Sequence, residues 1–286
     1  MAGFKNARAL ADAELAGQYL HRSWRKAPTQ TTFSGVWFDL SMSPGNPVLN
    51  YYIGPQNVFQ PLRRSTDGGL DHGGNVEGLG YRKHLRKLTG MWSAAAPLTL
   101  IMLDYVGFYP FIDESVTDEQ FMDNTLAPPR WAGALQLMPV VVAGQLGGQP
   151  FTVKYTNQAG VSGRVTQSVT MTTQGANGTI LSSLPAGANY CGPFLALQRG
   201  DTGVQSVQSV TIGGSGDIGL FALALVKPVA TLDIVNGNSP TEIDYLTDCG
   251  CSLPVIVDDA YLNFICLTTQ SLSGVNMLGM IETTWG

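Results

Sequence analysis

The sequence predicts a mainly β protein: an antiparallel β-sandwich or jelly-roll-like barrel with an N-terminal helix and an extended arm. Three observations predict it. From about residue 91 the apolar pattern has period 2, in runs rich in Val, Ile, Thr, Phe and Tyr. Turn signals separate those runs, among them Asn157-Gln158-Ala159-Gly160, Gly175-Ala176-Asn177-Gly178 and Gly213-Gly214-Ser215-Gly216, in a chain holding 34 Gly and 16 Pro. Only 13% of the 286 residues are charged and 44% are hydrophobic. That balance excludes disorder, and the density of Gly and Pro excludes a coiled coil or long-helix bundle.

Residues 5–25 read as the helix. Ala, Leu, Glu, Gln and Arg dominate, Leu15/Tyr19 and Leu20/Trp24 fall at i, i+4, and the pattern stops before Pro28. Residues 29–62 read as strand and arm: TTFSGVWFDLS alternates, and Pro44-Gly45-Asn46-Pro47 is a turn signal in a proline-rich stretch. Residues 63–90 are a Gly/Arg-rich loop region in which YRKHLRKL reads as a short basic helical turn. The chain therefore divides into 1–62 (helix and arm), 63–90 (loop region) and 91–286 (β-sandwich domain). The last part holds about nine strand-like runs, such as PLTLIMLDYVGFYPF, FLALQ and GLFALALVKPVATLDIV.

Asp12 and Glu14 interrupt the apolar stretch near the N-terminus, so no signal peptide is expected. No run of 18 apolar residues predicts a membrane span. Cys191, Cys249, Cys251 and Cys266 are then expected as reduced thiols. Cys249-Gly250-Cys251 lacks the second pair that a zinc site needs, so no metal is expected.

The net charge of −5 excludes a nucleic-acid binder driven by overall charge. Residues 1–100 carry 11 Lys/Arg and 6 Asp/Glu; residues 101–286 carry 5 and 15. This asymmetry predicts two faces with different neighbours, the basic part of one copy docking on the acidic part of another. Arg82, Lys83, His84, Arg86 and Lys87 are the densest basic patch, read as solvated or subunit-facing because only Tyr81 is there to stack a base.

No GxSxG, HExxH, GxxxxGK[ST] or EF-hand pattern occurs. Gly214-Ser215-Gly216-Asp217-Ile218-Gly219 matches GxGxxG, but strand-like sequence flanks it on both sides, which reads as a hairpin. The acidic groups Asp113-Glu114, Asp118-Glu119-Asp123 and Glu242, Asp244, Asp248 with Asp258-Asp259 have the composition for glycoside hydrolysis or calcium binding; the reading adopted is a solvated acidic face. Asn177-Gly178-Thr179 is a glycosylation sequon that without export marks only a turn. No catalytic, cofactor-binding or metal residue is assigned.

TFSGVWFDLSMSPGNPVLNYYIG, PFTVKYTNQAGVSGRVTQSV and LALQRGDTGVQSVQSVTI resemble segments of virion structural proteins of tailed bacteriophages. The resemblance covers about half the chain. It implies a capsid-associated protein of cement or decoration type, and it carries no functional residue across. The expectation is a non-enzymatic structural protein that bridges coat subunits, with further copies of itself and other virion proteins as partners. A major capsid (coat) protein, a tail or receptor/glycan-binding virion protein and a glycan hydrolase are the alternatives. No cofactor, membrane or small-molecule substrate is expected, nucleic acid is disfavoured, and the location is the virion, assembled in a bacterial cytoplasm.

Residues 1–62 are expected to contact a neighbouring subunit. Trp24, Phe33, Trp37, Phe38, Tyr51, Tyr52 and Phe59 are concentrated in 24–59, and interfaces favour such side chains. The competing reading is that they cover an open end of their own β domain.

Overall fold

The computed structural model describes residue 4 and residues 6–144, 146–183, 192–250 and 252–286. Most of the period-2 runs become strands, and so do several segments without that period. In chain order they begin with β1 (Tyr19–Lys26), β2 (Trp37–Asp39), β3 (Gly45–Asn46), β4 (Gln60–Pro61), β5 (Lys83–Trp92) and β6 (Leu98–Asp113). Then come β7 (Gln120–Phe121), β8 (Gln136–Ala143), β9 (Pro150–Asn157), β10 (Arg164–Val165) and β11 (Val169–Thr170). The last are β12 (Val204–Ile212), β13 (Leu220–Ile234), β14 (Thr241–Asp244), β15 (Val255–Ile256), β16 (Leu262–Thr268) and β17 (Met277–Trp285).

The N-terminal helix is shorter than its sequence suggests. It is α1 (Ala7–Leu15), capped by the Asn6 side chain, which accepts from the Ala9 amide at 2.9 Å. Gly17, at φ +80°, then turns the chain in the left-handed conformation open to glycine. Residues expected to continue the helix form β1, which pairs antiparallel along its whole length with β17. YRKHLRKL is likewise no helical turn, because most of it belongs to β5. FLALQ forms no strand, although the Leu195 amide still donates to Leu137 O at 2.9 Å. The loop and arm positions thus contribute strands to the same sheets as the β domain.

The described residues form three antiparallel sheets. One runs β14-β5-β17-β1-β3, with β15 also on β5; the central one runs β2-β16-β6-β13-β8, with β4 also on β6; the third runs β10-β9-β12-β7, with β11 also on β9. Residues 178–181 join the two edges of the central sheet. On one side Asp39 N donates to Gly178 O (2.7 Å) and Ile180 N to Trp37 O (2.9 Å). On the other, Val141 N donates to Thr179 O and Leu181 N to Pro139 O, both at 2.9 Å. The central sheet therefore closes into a ring, which removes its exposed edges.

The 16-residue β6 and 15-residue β13 span the molecule and serve three cores. Leu98, Leu100 and Met102, with Leu232 and Ile234, pack under the first sheet against Trp24, Leu88 and Trp92. Val106, Tyr109 and Ile112, with Phe221 and Leu223, pack under the third sheet against Val153, Tyr155 and Val207. Leu103, Tyr105 and Phe108, with Ala222 and Ala224, fill the ring itself with Val140, Ile180 and Ile265. Strand alternation and bulges along β13 and β6 deliver successive side chains to these different cores.

Elsewhere edges are kept short or occupied. β3 has two residues, and the Arg22 Nη1 and Asn46 Nδ2 groups donate to the carbonyls of His21 and Ser23 on β1. Among the described residues no helix is long and apolar enough to cross a membrane.

Candidate functional site

The site begins where β2 ends. Asp39 is fully buried, and its carboxylate receives four donors. Oδ1 accepts from Ser41 N (2.8 Å) and Tyr105 OH (2.6 Å); Oδ2 accepts from Ser41 Oγ (2.7 Å) and Tyr52 OH (2.5 Å). Burial raises its pKa above the ordinary carboxylate value, and the four hydrogen bonds oppose that shift. Tyr52 reaches this position at φ +55°, a conformation that costs a bulky residue about 1–3 kcal/mol. Its buried ring and hydroxyl bond offset that cost; burying such a side chain contributes about 1.5–3 kcal/mol.

Two further pins hold the segment that follows. Lys26 Nζ, buried at the end of β1, donates to Ser43 O (3.2 Å) and Pro47 O (2.8 Å). Burial lowers its pKa to about 7, against the opposing pull of Asp39. Further on, Phe59 packs against Tyr109 with ring centroids 5.2 Å apart. Gly107 permits this, because a Cβ there would collide with the Phe59 ring.

Between the pins the chain faces outward. Tyr52 is 0% exposed, whereas Val48 is 60%, Tyr51 54% and Ile53 71% exposed. Beside them opens a cleft of about 250 Å³ whose walls include Ile53, Leu62, Phe108 and Tyr261, with Asn50 and Asp67 as polar groups. The arrangement is a fixed apolar ridge next to a shallow recess. It offers contact area.

The competing reading, that the aromatics of 24–59 cover their own chain's β domain, describes most of them. Trp24, Phe38, Tyr52 and Phe59 enter the cores of their own chain, and Trp37 packs against the ring. Only Phe33 and Tyr51 of the seven aromatics stay exposed.

The sequence's charged candidates are dispersed. Arg86 pairs with Asp244 and lies 3.5 Å from Glu14; Lys87 lies 3.6 Å from Glu242; Lys83 and His84 are buried. Arg86 and Lys87 are therefore paired within the chain, and Arg82 is the exposed member of the patch. Asp113 accepts from Ser115, Glu119 from Ser209, and Asp123 from Thr125. Asp258 and Asp259 receive the amides of Val76 and Ser65. Among the described residues no group of three or more His, Cys, Asp or Glu is arranged to hold a metal ion.

The GxGxxG segment lies in the loop between β12 and β13, and a strand follows it. Cys266 is buried in the first core and Cys249 is half-buried, both as free thiols; Cys191 and Cys251 lie outside the described residues. The sequon's Gly178 and Thr179 belong to the segment that closes the ring.

Three polar centres, mostly buried, are not brought together by the motif search, although Lys83 and Asp258 of the third are each singled out in other groups. One is Asp39 with Tyr52 and Tyr105. The second is Asp104, which accepts from Arg130 Nη2 (3.1 Å), Trp131 Nε1 (2.7 Å) and Tyr261 N (2.9 Å). The third joins His72, Lys83 and Asp258. The only signals in the sequence are charged residues inside strand-length apolar runs, as in VWFDLS and LIMLDYV.

No protein-family model matches the chain, and no curated protein matches it. Among solved structures, a similarity is found to the crystal structure of the infectious bursal disease virus VP2 subviral particle, at 9% identity over 93% of this chain and 80% of that one, with a TM-score of 0.15. A score that low carries no argument about fold or function.

Proposed function

We propose that this chain is a non-enzymatic structural protein of a bacteriophage particle, a capsid cement or decoration protein that contacts coat subunits through the segment 44–61. The observation that carries the reading is the ridge of Val48, Tyr51 and Ile53, held outward by the buried Tyr52, Lys26 and Phe59. Exposed apolar side chains on a pre-ordered segment lose little entropy on docking, and Tyr is a favoured anchor. Low charge and short or occupied sheet edges suit permanent packing beside other subunits. The resemblance of three sequence blocks to tailed-phage virion proteins supports the same reading.

The test is the triple substitution Val48→Ser, Tyr51→Ser, Ile53→Ser. All three side chains are exposed, so the thermal midpoint should stay within a few degrees of the parent. Binding to coat-protein particles should fall at least tenfold. Unchanged binding by the folded triple variant refutes the assignment. Copy number in purified particles separates a cement protein from a coat or tail component.

A further inference from the structure

We propose that His72, Lys83 and Asp258 form an acid-sensitive latch, which holds the glycine-rich segment 71–77 against the sheets at neutral pH and releases it on acidification. The segment has no helix or strand of its own before Glu77. It is held largely by side chains from other elements. Asp258 accepts from the amides of Val76 (2.9 Å) and Glu77 (2.9 Å). Lys83 Nζ, on β5, donates to Gly74 O at 2.6 Å and lies 3.9 Å from Asp258. Thr283, on β17, donates to His72 O at 3.3 Å.

The imidazole completes the closure. His72 is fully buried, and its Nε2 lies 3.0 Å from the carbonyl of Ala260. A carbonyl only accepts, so Nε2 carries the proton. Nδ1 is then the acceptor for Lys83 Nζ at 3.1 Å. A second proton on the ring would set an imidazolium N–H against an ammonium N–H at that distance, inside a closed site. One contact must break.

Asp71 is the one negative charge that opposes the shift at the ring, and burial and the Lys83 charge outweigh it. Asp71 is engaged by Arg22 at 2.5 Å and by Arg64 at 3.7 Å, and it accepts from Gly73 N. Arg64, on the short helix Arg64–Asp67, adds positive charge. Glu77, at the far end of the segment, and Asp258 act on Lys83. Burial, and then the Lys83 charge, push the His72 pKa down to about 3, while burial lowers Lys83 to about 8.

The sign follows from linkage. The closed state takes up the ring proton only near pH 3, whereas an opened, hydrated imidazole takes it up near its ordinary 6.5. Between those limits the open state binds more protons, so falling pH favours opening, by about tenfold per pH unit below roughly pH 6.

Hydrogen exchange on the full chain tests this. After correction for intrinsic rates, protection of the Val76 and Glu77 amides should fall about tenfold per unit between pH 6 and pH 4.5. Protection in β6 and β13 should change far less. His72→Gln retains Lys83 and Asp258 and should flatten that dependence. A flat profile in the parent, or an equal slope in His72→Gln, overturns the latch. Should His72→Gln fail to fold, nitrogen NMR of the parent decides. A ring that stays neutral and Nε2-protonated well below pH 6 while the segment is protected supports the latch. A ring titrating near 6.5 with the segment still protected overturns it.

Discussion

Asp39 and Asp104 are both fully buried carboxylates, and they hold two different points of the same segment by different means. Asp39 is saturated by neutral donors, two tyrosine hydroxyls and both polar groups of Ser41, and through Tyr52 it anchors the middle of residues 40–62. Asp104 meets a cation. Arg130 Nη2 donates to it and to Tyr105 O, while Nη1 donates to Leu62 O (3.0 Å) and Asp259 O (2.8 Å), which fixes the far end of the segment. Burial raises the pKa of Asp104 and lowers that of Arg130, so for both partners desolvation outweighs their mutual attraction. The pair is expensive to form and more expensive to halve. The hydroxyl cage is a gentler device, because each donor can be lost without stranding a charge opposite it.

Halving the ion pair should give the largest effect. Arg130→Met leaves Asp104 buried beside Trp131 with no cation and frees the carbonyls of Leu62 and Asp259. Chemical denaturation should show a loss of about 3–5 kcal/mol. A loss under about 1 kcal/mol would mean that the two centres do not differ as argued. Tyr52→Phe and Tyr105→Phe should each cost less, about 1–3 kcal/mol, as one charge-assisted bond to Asp39 is removed. The double variant should depart from additivity, since both hydroxyls serve one carboxylate. Strict additivity in a double-mutant cycle would argue against a shared centre.

The same contrast shows what the sequence reveals. The mainly β class and the long strands β6, β12, β13 and β17 are legible, because alternation and turn residues act locally. β1 is not. Only Trp24 and Lys26 of its eight residues are buried, so it carries no period-2 signal, and Leu15/Tyr19 and Leu20/Trp24 imitate helix spacing. Gly17, unused in that reading, is the local signal for the helix end. β5 hides because Lys83, His84, Arg86 and Lys87 read as surface charge, although two of them are buried. The candidate site is less legible still. Asp39 meets Tyr52 13 residues away and Tyr105 66 residues away, and only the closed ring brings them together. Proline and aromatic density did point to 44–61, but the sequence does not reveal that alternate residues are anchored and presented.

The smallest net effect should come from the Lys26 pin, where the opposing contributions nearly cancel. Lys26→Met removes two hydrogen bonds and leaves the carbonyls of Ser43 and Pro47 without this donor, at about 1 kcal/mol each. It also removes an amine whose burial lowers its pKa to about 7, and an unbranched thioether fills similar space. At pH 7 the change in stability should lie within about 1 kcal/mol of zero. The pH dependence should still move. In the parent the folded amine is largely neutral above about pH 7, while the unfolded one keeps its proton up to its ordinary value of 10.5. The unfolded chain therefore binds more protons across that window, and Lys26 makes stability rise with pH from about 7 towards 10. Lys26→Met should remove its share of that rise, leaving the smaller share that Lys83 contributes above about pH 8, and should leave the Asp39 cage intact. Denaturation midpoints at pH 7, 8 and 9 measure it directly. A parent whose stability is flat or falls over this range, with Lys26→Met parallel to it, would show that the amine is hydrated and that the turn at 43–47 is held some other way.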